Sequence, residues 1–140
     1  MKNNFDLTPV IKAGSWKLVA KIFSSSMGCT AVAFALGFSD FALSMLCGVA
    51  AATVDLIILF TGIKRSMPYV EYPEQGLKVM KRFRWLRVAS AACFIIVMLR
   101  MKMPVLGAFG GFLLVHIFFI LNLLFIAYQL TNERNVKKGV

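Results

Sequence analysis

Read only as hydrophobic and polar positions, the chain falls into four apolar blocks, at approximately residues 20–38, 41–62, 84–100 and 105–130. An α-helix needs about 20 apolar residues to cross the hydrocarbon of a bilayer, and inside it a helix satisfies its own backbone groups. The pattern therefore predicts an all-α integral membrane protein, a single domain over 1–140 with four transmembrane helices arranged as two helical hairpins. "GFSD", Gly37 to Asp40, predicts a tight turn between the first two spans, and residues 63–83, with two prolines and several charges, predict the one substantial loop. The third block is the weakest, with only twelve apolar or small residues between Arg87 and Arg100. Snorkelling by Arg84, Arg87 and Arg100 extends it, with Trp85 at the interface. The first helix is expected to begin at "LTPV", with Thr8 as N-cap and Pro9 at the first helical position. Residues 9–21 mix Val10, Ile11, Trp16 and Leu18 with Lys12, Lys17 and Lys21, the pattern of a stretch at the headgroups.

Composition strengthens this picture. Hydrophobic residues make up 59% of 140, and the mean hydropathy is +0.77. The formal net charge of +10 would suit nucleic acid, but the basic residues cluster at the ends of apolar blocks. Nothing interleaves them with aromatic residues on a soluble surface. Of the 16 Lys and Arg residues, all but Arg100 and Lys102 lie in the N-terminal segment, the central loop or the tail. The positive-inside rule then places both termini and the central loop in the cytoplasm, in a bacterial inner membrane. Cys29, Cys47 and Cys93 sit inside apolar blocks with no CxxC spacing, as small packing residues do. With one histidine they make no metal site. "IFSSSMGCT" is too polar for the core of a signal peptide, so the first block is expected to be retained.

The polar residues inside these blocks are the candidate chemistry. Asp55 lies nine residues from Lys64, about 13 Å in from the cytoplasmic boundary, where a charge costs several kcal/mol unless it is paired, hydrated or neutralised. On a helical wheel Ser44, Gly48, Ala52, Asp55 and Gly62 fall along one strip, interrupted only by Leu59. In the fourth block Gly107, Gly111, Phe118, Asn122 and Gln129 share a face, and Gly107 and Gly111 form a GxxxG. The first helix offers Ser24, Gly28, Ala31 and Ala35. Asn122 is eight residues from Leu130 and is expected at the depth of Asp55, so a hydrogen bond between the two is expected where the second and fourth helices meet. His116 lies about 120° round from Asn122. Small-residue strips close a bundle on itself or receive a partner, such as another protein or a second copy of the chain, and the sequence leaves both open. Tyr69, Tyr72 and the run Lys81, Arg82, Arg84, Arg87 form a candidate docking segment for a partner or for anionic lipid.

Three segments resemble the bacterial F-type ATP synthase subunit I family. "LCGVAAATVDLIILFTGIKR" is similar to its second span, though Asp55 stands near a position where the family often has Asn. "KRFRWLRVASAACFIIVM" resembles the Arg-flanked start of its third span, and "LGAFGGFLLVHIFFILNLLF" its Gly-rich fourth. The resemblance covers most of residues 12–130. It implies a non-enzymatic accessory protein, without cofactors, that assists assembly or stabilisation of the ring of c subunits. The alternative is a small cation or proton transporter or channel using Asp55, with His116 as a second titrating group. A pore-forming peptide of the holin type fits less well with the long loop. No Ser-His-Asp set, phosphate loop or paired carboxylates suggest an enzyme.

Overall fold

A computed structural model describes residues 8–69 and 71–138; within them, the side chains of 8–15, 130, 131 and 133–138 are outside the description. The proposed cap at Thr8 and Pro9 and the basic side chains of the tail therefore lie outside the described residues. Four helices follow one another: α1 (Thr8–Ala35), α2 (Ser39–Ser66), α3 (Pro73–Arg100) and α4 (Val105–Lys138), with a 3₁₀ turn at Met67–Tyr69. Three stretches, Trp16–Ala35, Ser39–Tyr69 and Val105–Gln129, are long and apolar enough to cross a membrane.

α1 ends where the sequence expects. The Phe38 N–H bonds the carbonyl of Ala33, and Gly37 takes the left-handed conformation (φ +90°) that closes a helix at low steric cost. The central loop does not survive as a loop. α2 continues to Ser66 and α3 already begins at Pro73, leaving a short connection. The reason is local: Pro73 occupies the first helical turn, and Leu77, Met80 and Phe83 recur at helical spacing among good helix formers. The third helix thus starts eleven residues before its apolar block.

α2 is the centre of the molecule. It packs against α1, α3 and α4, and α1 also packs against α4. α3 packs on α2 and on the 3₁₀ turn and barely touches α4, although a turn of four residues joins them. The second hairpin of the sequence reading is therefore splayed: α4 crosses to lie parallel to α2.

The core is small and the periphery large. Val49, Ala52, Leu56 and Val115 are buried at the centre with Val19 and Ile22 of α1, and Ser26, Thr30 and Ser44 are buried with them. Phe34, Leu36, Ile95, Ile96, Leu106 and Phe109 are all exposed by more than half. An aqueous protein would not present such a continuous surface; a lipid-facing one does, because lipid removes the drive to bury large aliphatics and leaves close approach of backbones as the cohesive force.

Candidate functional site

The strip predicted on α2 is its buried face: Ser44, Gly48, Ala52, Asp55 and Gly62 are all buried, joined by Ala42, Val49 and Leu56. At the Ser39 end of α2 this face meets α4 backbone to backbone. A Cβ on Gly48 would collide with the carbonyl oxygen of Ala108, and one on Gly111 with that of Met45; one on Gly107 would lie 2.8 Å from the carbonyl oxygen of Phe41. The Ser44 hydroxyl donates to the carbonyl of Pro104, just before α4 begins. Gly48, Ala52, Gly107 and Gly111 are thus used up inside the bundle. Of the two uses the sequence left open, the structure shows internal closure.

Past this contact α4 brings His116, not Asn122, to Asp55, with the imidazole Nε2 3.6 Å from the carboxylate. Asn122 lies six residues further along, about 9 Å at the helical rise, and its side-chain amide donates to the Phe118 carbonyl of its own helix at 2.8 Å. The expected Asp55–Asn122 hydrogen bond is therefore absent. Counted depth leaves out direction: His116 lies about 120° round α4 from Asn122, and the His116 side is the one that reaches the carboxylate.

The partner of Asp55 is Arg87. Its Nε–H donates to Asp55 Oδ1 at 2.6 Å, and an Nη2–H donates to Oδ2 at 2.7 Å. This is the fork geometry in which a guanidinium and a carboxylate match most closely. A hairpin turning between Ser66 and Pro73 brings position 55 level with the positions around 87, so α3 supplies the base where α2 supplies the acid. From the sequence Arg87 is expected to snorkel or to dock; it reaches Asp55 because residues 63–83 fold as the turn of a helical hairpin and not as a loop.

His116 completes the cluster from α4. Its Nδ1 lies 2.9 Å from the Phe112 carbonyl, its ring stacks on Phe112 with centroids 4.4 Å apart, and its Nε2 lies 3.6 Å from Asp55 Oδ2. A carbonyl only accepts, so Nδ1 carries the hydrogen and Nε2 is the nitrogen facing the carboxylate. The Asp55 side chain retains 13% of its exposure, while Arg87 keeps 35% and His116 28%. The acid is thus nearly buried, while the base and the imidazole each keep about a third of their exposure.

The small hydroxyl side chains within the spans mostly close on their own backbone. Ser26, Thr30, Thr53 and Thr61 each bond the carbonyl four residues back. Lys81, Arg82 and Arg84 stand exposed on α3 and take no part in the ion pair. Among the described residues, no group of three or more His, Cys, Asp or Glu could hold a metal ion. The site is thus a fixed acid–base pair with an imidazole beside it, not a free carboxylate. No protein-family model, no curated protein and no solved structure matches the chain.

Proposed function

We propose that this chain is a four-span protein of the bacterial inner membrane, with both termini and the α2–α3 connection in the cytoplasm, that acts as an accessory factor in assembly of the ATP synthase c-ring. The fourth span is supported by the course of α3. It runs antiparallel to α2 through Phe83 beside Gly62, Arg87 on Asp55, and Met103, just past its end, beside Cys47, so a membrane that contains α2 contains α3 as well. The ATP synthase reading is supported by the three resembling segments.

One observation carries the mechanism. The Asp55 fork occupies two of the five guanidinium N–H groups of Arg87, and the side chain keeps about a third of its exposure at membrane depth. The remaining donors are pre-oriented by Asp55 and can meet a second carboxyl group. A c subunit is a helical hairpin with a buried carboxyl, and Arg87 would receive that group while the subunit waits for its neighbours. The small-residue faces of α2 and α4, closed on each other, have no part in the capture. Co-purification with crosslinking in mild detergent tests this. The wild-type chain should bring c subunit with it, and the Asp55→Leu/Arg87→Leu double variant should not. A wild-type chain that never captures c subunit refutes the reading.

The 3.6 Å approach of His116 to Asp55 favours a second reading, a proton or cation pathway through the pair. It requires a carboxylate able to exchange partners, and here Arg87 holds both oxygens. Liposome flux abolished by Asp55→Asn would favour this reading, and flux equal to empty vesicles would remove it.

A further inference from the structure

A cavity of about 520 Å³ lies between α2 and α3, near the end of α2 that carries Lys64 and Arg65. Its volume falls within the range of small-ligand sites, ~300–1,000 Å³. Two kinds of wall line it, and it is open on its outer side. Leu59, Leu77, Met80 and Phe83 form an apolar floor, and Lys78, Lys81 and Arg84 stand along one side with no acid among the lining residues. Arg87 closes the inner end, its charge already held by Asp55. Arg65 lies 5.8 Å from the centre of the Phe83 ring and adds a further positive charge beside the cavity.

The gradient along the cavity matches a phospholipid. Phe83 is level with Gly62, just inside the basic end of α2. Lys78 is then five residues towards the aqueous side, about 7.5 Å at the helical rise, and Arg87 four residues, about 6 Å, towards the hydrocarbon. Cationic groups thus occupy headgroup depth and apolar groups the level of the first acyl carbons. A soluble anion would use the charges and leave the apolar floor in water; a neutral lipid would use the floor and leave three exposed charges unmatched.

We propose that this cavity is a binding site for one anionic phospholipid, with its phosphate and headgroup against Lys78, Lys81 and Arg84 and an acyl chain along Leu59, Leu77 and Phe83. The inference rests on the membrane reading and is independent of the ATP synthase. The purified chain is titrated in non-ionic detergent with dioleoyl phosphatidylglycerol, dioleoyl phosphatidylcholine and inorganic phosphate, with bound lipid counted by native mass spectrometry. One phosphatidylglycerol should be retained in preference to phosphatidylcholine. Lys78→Gln/Lys81→Gln/Arg84→Gln, at exposed positions that leave the fold intact, should weaken it by about a hundredfold, and Lys64→Gln, on the other flank of α2, by far less. Leu77→Trp, which fills the floor and keeps every charge, should also release the lipid. Equal retention of the two lipids, displacement of the lipid by inorganic phosphate, or full binding by the Leu77→Trp variant would each overturn the assignment.

Discussion

α2 meets α4 and α3 in opposite ways. Against α4 the contact is made of shape: glycines on both helices let each backbone lie against the other, and nothing larger than a hydrogen fits between. Against α3 the contact is made of charge and of side-chain ends: a forked ion pair, a phenylalanine edge and a cavity. The first contact is specific and inert. The second is less well filled, and the Asp55–Arg87 pair and the cavity both lie along it. A membrane bundle can thus build its rigid part from residues without functional groups and concentrate its polar residues where packing is loose.

The largest expected effect breaks the shape contact. Gly48→Ala would place a methyl group on the Ala108 carbonyl, and since backbone cannot swing aside, the helices must separate. A loss of about 3 kcal/mol or more is expected in detergent unfolding. The same change at Gly110, where a Cβ meets nothing within 4 Å, should be neutral or stabilise by up to ~1 kcal/mol through helix propensity. Equal losses at both positions would mean that α2 and α4 do not meet on this face.

Next in size is the charge contact. Asp55→Leu or Arg87→Leu alone leaves an uncompensated charge and should cost roughly 2–4 kcal/mol, whereas the double replacement should recover most of that loss. A double variant that loses the sum of the two singles would show that the pair is not formed in the folded protein.

The smallest effect separates a hard wall from a soft one. A Cβ on Gly62 would lie 2.9 Å from the Phe83 ring. That ring borders the cavity and can turn into it, so Gly62→Ala should cost about 1 kcal/mol or less. A loss as large as that at Gly48 would mean that the cavity is filled.

How much of this was legible in the sequence follows the same division. The buried strip of α2 could be read from helical spacing, because small residues at 100° steps define a face whatever packs on it. The GxxxG at Gly107 and Gly111 could be read for the same reason. The partner of Asp55 could not, because it depends on register. Arg87 became visible only once α2 was known to reach Ser66 and α3 to begin at Pro73. His116 became visible only once the side of α4 that turns to Asp55 was known. Asn122 looked like the better partner on counted depth, yet it spends its amide on its own helix.

The ion pair also bears on how the protein is made. On the four-span reading, α3 is too charged to enter lipid by its own hydropathy, and Arg87 would meet hydrocarbon as a bare cation. The ribosome delivers Asp55 thirty-two residues earlier, so the acid is already in the bilayer when its base emerges. Insertion of the third helix is thereby conditional on the second, and on this reading α2 and α3 enter the membrane as one hairpin.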